Sequence, residues 1–161
     1  MKVINVISKE SASEFLNFPK LLFAKDENYI RPLDQDIENV FNPEKNKFFK
    51  FGECERFLFK NDEGKTVGKI AVFFNKRYKQ DQPTGGIGFF DCIDDQVAAN
   101  FIFDFAKDWL QQKGMEAMDG PINFGERDKF WGLLIEGFSE PLYAMNYNPL
   151  YYKTLFENYG F

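Results

Sequence analysis

Apolar and polar positions alternate from Lys2 to Ile7, which predicts a half-buried strand. Ser8, Ser11 and Ser13 then offer side-chain oxygens to the first amides of a helix. Phe15, Leu16, Phe18, Leu21, Leu22 and Phe23 follow at helical spacings, but Pro19 has no N–H to donate and is expected to break or restart that helix. Lys25 to Lys50 is polar and punctuated by Pro32 and Pro43, so it reads as a long connection with a short helix near Asp34 to Phe41. Connections of that length are commonly binding segments or lids, the alternative being a decorative insertion. Cys54 to Lys60 and Thr66 to Asn75 are rich in phenylalanine, valine and isoleucine around the turn residues Asn61 to Gly64, which predicts an antiparallel hairpin. From Gly85 the run GGIGFFDCI reads as a third long strand. Gln96 to Lys113 places Val97, Ala98, Phe101, Ile102, Phe105, Ala106, Trp109 and Leu110 along one helical face, between Asp94 and Asp95 before it and Gly114 after it. Ala117 to Ile122 is a short strand, and a last helix is expected from Asn148 and Pro149 to Gly160. A hairpin followed by a strand, a crossover helix and a further strand makes a mixed antiparallel and parallel sheet, an α/β or α+β layer fold.

Composition narrows the chemistry. The chain has 161 residues and no histidine, which removes the usual neutral-pH base and every histidine-dependent nucleophile or metal site. Carboxylate, tyrosine, lysine and cysteine remain, each needing its pKa moved to act near neutrality. With 25 acidic against 20 basic residues, nucleic acid is excluded as an expected partner. Cys54 and Cys92 have no metal-type spacing and are expected to be reduced, buried thiols. Neither a leader nor a stretch of about 20 apolar residues is present, so no membrane association and a cytoplasmic location are expected. The 21 phenylalanines predict a thick aromatic core.

Three stretches resemble the acyl-CoA N-acyltransferase superfamily, the GNAT acetyltransferases. ECERFLFKNDEGKTVGKIAVFFN is similar to that family's second and third strands, with Gly68, Lys69 and Ile70 in the position from which a groove side chain is often presented. GFFDCIDDQVAANFIFDFAKDWLQQKGM is similar to its central strand and long helix, and YNPLYYKTLFENYGF to its terminal helix motif. More narrowly, GFFDCIDD, DGPINF, LLIEGF and YNPLYY together resemble a subgroup of longer bacterial proteins in that superfamily. The resemblance implies helices on both faces of the sheet, an acetyl-CoA or other acyl-CoA cofactor, and transfer to the amine of a small molecule or peptide. It also implies two more strands after Phe161, so this chain is expected to be the N-terminal part of a longer protein. A second copy or a C-terminal partner domain would then cover the open sheet edge.

Cofactor contacts carried over from the resemblance fall on Ile93, Asp95, Gln96 and Val97 at the strand-to-helix junction, and on Asn148. Active members carry glycines there that cradle a pyrophosphate, whereas this chain has Asp94 and Asp95, and a carboxylate repels that anion. Either aspartate is instead expected to cap the helix. Phe156 stands where the family often has a tyrosine acid. The candidate catalytic residues are Asp91, Asn123, Tyr147 and Tyr151, with Glu126 and Asp128 near the same strand ends and Tyr143 and Tyr152 beside the tyrosines. A carboxylate there would deprotonate an amine before it attacks a thioester, while turn and cap roles compete for each residue. Trp131 is open to a lid or a packing role. Two functions follow: an acyl-CoA-dependent N-acyltransferase, or a non-catalytic binding or interaction module with a degenerate pyrophosphate loop.

Overall fold

Residues 1–78, 80–125 and 132–161 are described by the structure, a computed structural model. Glu126, Asp128 and Trp131 lie outside the described residues. A five-stranded sheet runs in the order β1 (Lys2–Asn5), β2 (Gly52–Lys60), β3 (Thr66–Asn75), β4 (Thr84–Cys92) and β5 (Ala117–Asp119). The first four strands pair antiparallel and β4 pairs with β5 in parallel, as the hairpin and crossover pattern requires.

Helix α1 (Lys9–Leu22) and α2 (Asp34–Phe41) lie on one side, and α3 (Gln96–Gln112) and α4 (Tyr152–Tyr159) on the other. The α3 face is the larger core: Phe57, Phe59, Ile70, Val72 and Ile87 of the sheet meet Ala99, Ile102, Phe103, Ala106 and Leu110 of the helix. At roughly 1.5–3 kcal/mol for each large apolar side chain removed from water, this face dominates the stability. Gly68 belongs to it, because a Cβ there would come within 2.4 Å of Ile102 Cδ1. On the opposite face Leu58 packs with Val6, Phe15, Phe41 and Phe89.

Several expectations need correction. Helix α1 runs through Pro19 without breaking, since that residue sits in the last turn, where one missing N–H costs one bond, and Phe23 N–H closes the end on Pro19 O at 3.0 Å. Strand β5 stops at Asp119; Pro121 has no N–H for the ladder, and Ile122 N–H rejoins β4 at Ile87 O (2.7 Å). Helix α4 begins at Tyr152 and not at Asn148, because the Asn148 amide is turned to the backbone of Leu134 and caps nothing. Cys54 is only half-buried, although Cys92 is fully buried and both are free thiols.

Candidate functional site

Strand β4 changes face part-way along, and the site follows from that change. Gly85 and Ile87 look toward α3. Phe89 then takes a left-handed backbone, φ 49°, and two residues of β4, Phe89 and Phe90, stand opposite the single Ile70 of β3. This is a β-bulge, one extra residue that reverses the alternation beyond it. Phe90 therefore stacks on Phe103 of α3 at 4.8 Å, and the next residue, Asp91, points to the α1 face. Without the bulge its carboxylate would enter the aromatic core.

Asp91 lands opposite Lys69 in the register. The Lys69 ammonium is 3.0 Å from Asp91 Oδ2 and 4.3 Å from the centre of the Phe15 ring, and the lysine is only 2% exposed. Tyr152 donates its hydroxyl proton to Asp91 Oδ1 at 3.0 Å and accepts the Cys92 N–H at 2.9 Å. Tyr151 donates to Cys92 O at 2.7 Å. The last residue of β4 is thus held by two tyrosine hydroxyls from the head of α4, at a place where β5 has already left the strand.

The electrostatics follow from burial. Loss of water pushes the Asp91 carboxyl above the usual carboxylate range, against the pull of Lys69 and Tyr152. The same loss pushes the Lys69 ammonium down, against the pull of Asp91. Burial and the Asp91 charge hold Tyr152 well above the ordinary phenol value, so it stays a donor at neutral pH. Tyr29 is pushed up to about 12, first by burial and then by Asp91. Its ring stacks on Phe23 at 3.9 Å and lies 6.1 Å from the Tyr147 ring.

Of the residues singled out from sequence, Asp91 and Tyr151 share a neighbour, Cys92. Tyr147 stands one ring further out, donating to the carboxylate of Asp26 at 2.8 Å. Asn123 lies lower along β4, where a Cβ on Gly88 would come within 1.9 Å of Ile122 O and 2.7 Å of Asn123 Oδ1. That close approach explains the glycine. Tyr143 donates to Asp36 at 2.6 Å. Phe156 is core, packed on Phe90 at 5.0 Å and Phe103 at 4.8 Å. Sequence reasoning saw Lys69 only as the middle of Gly68-Lys69-Ile70; the signal was a lone cation inside the apolar run from Val67 to Phe74.

At the head of α3, Asp95 Oδ1 accepts Val97 N–H at 2.8 Å and Ala98 N–H at 3.2 Å. Gln96 bridges Asn100 and Leu155 O through its Nε2 (2.9 and 3.1 Å) and accepts from Asn158. Ile93 N–H pairs with Val67 O at 3.0 Å, and Val97 is exposed.

A solved aminoglycoside acetyltransferase, meta-AAC0020 from an uncultured soil metagenomic sample in complex with sisomicin, superposes with a TM-score of 0.50 over 73% of this chain and 74% of its own, at 16% identity. The fold is that of the GNAT acetyltransferases. No family model matches the chain. Two curated proteins do. One is the bacterial ceramide synthase of Caulobacter vibrioides (strain NA1000 / CB15N), 31% identical over 167 aligned positions that take in all of this chain and 42% of the relative. The other is Protein YghO of Escherichia coli (strain K12), 32% identical over 143 positions, 86% of this chain and 35% of the relative. The chain spans less than half the length of either.

In a GNAT fold the head of α3 is the natural seat for an anion, by its free amides and dipole. Here the Asp95 carboxylate already takes two of those amides and Asp94 stands exposed beside it. This helix end does not fit a CoA pyrophosphate. Among the described residues no helix is long and apolar enough to cross a membrane.

Proposed function

We propose that the protein serves N-acylation: transfer of an acyl group from a thioester to an amine, with a long-chain amino alcohol as the acceptor class. The observation that carries this reading is the Asp91 carboxylate, turned out of the core by the bulge at Phe89 and held by Lys69 and Tyr152. Its side chain keeps 14% of its surface open. The whole-chain likeness to a protein named for ceramide synthesis supports the acceptor class, since a ceramide is the amide of a long-chain amino alcohol.

In such a reaction the amine nitrogen bonds to the acyl carbon, the carbon–sulfur bond breaks, and the amine gives up a proton as the thiol departs. Asp91 is the group suited to accept that proton, directly or through one water, because burial raises its pKa above the usual carboxylate range and so makes it a stronger base. Lys69 and Tyr152 orient the carboxylate and are positioning residues. No step is assigned to the nucleotide end of CoA, which the acidic head of α3 does not fit.

The test is mass spectrometry of the amide formed by the full native polypeptide from a fatty acyl thioester and a saturated long-chain amino diol. Asp91→Asn should lower kcat by about 10²- to 10⁴-fold with KM little changed. Absence of amide with the native protein at saturating substrates overturns the reading. The Asp95 cap favours a second one, a non-catalytic module; no acetyl-CoA heat in titration calorimetry together with no turnover would support that instead.

A further inference from the structure

Opposite the α3 core, a cavity of about 300 Å³ opens between β3, β4 and the segment after β5, with a short 3₁₀ turn (Lys47–Lys50) at its side. Phe48, Phe73 and Phe124 supply aromatic walls, and Gly85 and Gly86 contribute bare backbone from β4. Phe124 meets the other two edge-on or tilted, at 6.2 and 5.3 Å. Apolar enclosures of this size fall at the small end of ligand sites, which carry a few placed polar groups to fix orientation.

Such a group is present. Asn123 lines the cavity, is 9% exposed, and its side chain makes no hydrogen bond among the described residues. Its backbone neighbour Phe124 is pinned, with Phe124 O accepting from Asn46 Nδ2 at 2.8 Å, so the segment is not loose. A carboxamide that no side chain or backbone group engages offers a free donor and a free acceptor to whatever occupies the cavity. The neighbouring asparagines show the contrast: Asn46 and Asn148 each spend both ends of the amide on backbone.

We infer that this cavity is a binding site for the hydrocarbon chain of a fatty acyl group, with the Asn123 carboxamide donating to its carbonyl oxygen. The inference rests on the N-acylation reading for its occupant. Aromatic and glycine walls suit methylene groups, and a carboxamide N–H suits a carbonyl that must keep a fixed direction. A Cβ on Gly88, three residues before Asp91 on the same strand, would lie 2.7 Å from Asn123 Oδ1, so a carbonyl held by the Asn123 amide sits at the end of the cavity nearer the carboxylate.

The test uses the full native polypeptide and the N-acetylcysteamine thioesters of butanoic to dodecanoic acid, read by titration calorimetry without acceptor. Affinity should rise about fourfold per added methylene until the cavity is full, then level off. Phe48→Trp, which enlarges a wall residue, should move that plateau to a shorter chain. Asn123→Leu, of similar volume, should weaken every member about tenfold and leave the chain-length slope unchanged. A flat dependence on chain length, or a plateau that Phe48→Trp does not move, overturns the site; so does Asn123→Leu binding as tightly as native protein while melting at the same temperature. Chain-length dependence without amide product leaves this site standing and removes the acyltransferase reading, and amide product with a flat dependence does the reverse.

Discussion

Lys69→Met takes the ammonium from Asp91 and leaves the carboxylate with Tyr152 as its one remaining donor among the described residues. Lys69 is 2% exposed, so water cannot replace the lost partner without opening the α1 face. Breaking a buried pair from one side typically costs about 3–5 kcal/mol, far more than an exposed pair at about 0–1 kcal/mol. The loss of the ammonium over the Phe15 ring adds about 1 kcal/mol or more. With a urea slope of about 2 kcal/mol/M, the midpoint should fall by roughly 2 M. Lys69→Met with Asp91→Leu should recover at least half of that fall, because two apolar side chains leave no stranded charge. Urea denaturation of the native, single and double variants measures all of this in one series. A single variant that loses under about 1 kcal/mol, or a double variant that loses the sum of the singles, would refute the claim that the pair is buried and coupled.

Three further outcomes can be checked directly. Asp95→Ala should cost about 1 kcal/mol, seen as a lower melting temperature, since two amides at the head of α3 lose their acceptor. Burial and neighbouring carboxylates push the Cys92 thiol up to about 12, and burial pushes the Cys54 thiol up as well. Both should therefore resist iodoacetamide at pH 8 in the folded protein and react on unfolding; rapid native labelling of Cys92 would contradict its burial. Tyr29 and Tyr147 are each pushed up to about 12, by burial first and by Asp91 and Asp26 respectively. Unfolded phenols release their protons near pH 10, and the folded ones release theirs later. Stability is thus intact below pH 10 and should decline as pH climbs from 10 toward 12. Melting curves across that range check it.

Much of the fold was legible along the chain because it is set locally. Asn61 to Gly64 turn the hairpin between two strongly apolar runs, a short helix forms over Asp34–Phe41 where one was expected, and an aspartate caps α3. These features depend on residues a few positions apart, so spacing and side-chain type decide them. The site was legible in part. Asp91 drew notice as a carboxylate at a strand end, and Lys69 did not, because its partner is 22 positions away and meets it only through the β3–β4 register.

The amino-acid sequence by itself determined the order of elements, the mixed sheet and the aromatic core, since alternation and helical spacing are properties of adjacent residues. Tertiary structure alone decided which way Asp91 faces. Strict alternation on β4 would have sent that carboxylate into the α3 core; one extra residue at Phe89 reversed it, and no local pattern in GGIGFFDCI marks the place. It was likewise tertiary packing that brought the tyrosines of α4 to the backbone of Cys92 and left the Asn123 amide inside an apolar cavity. Those groups are distant in the chain, and only the folded sheet sets what each one touches and whether water can reach it.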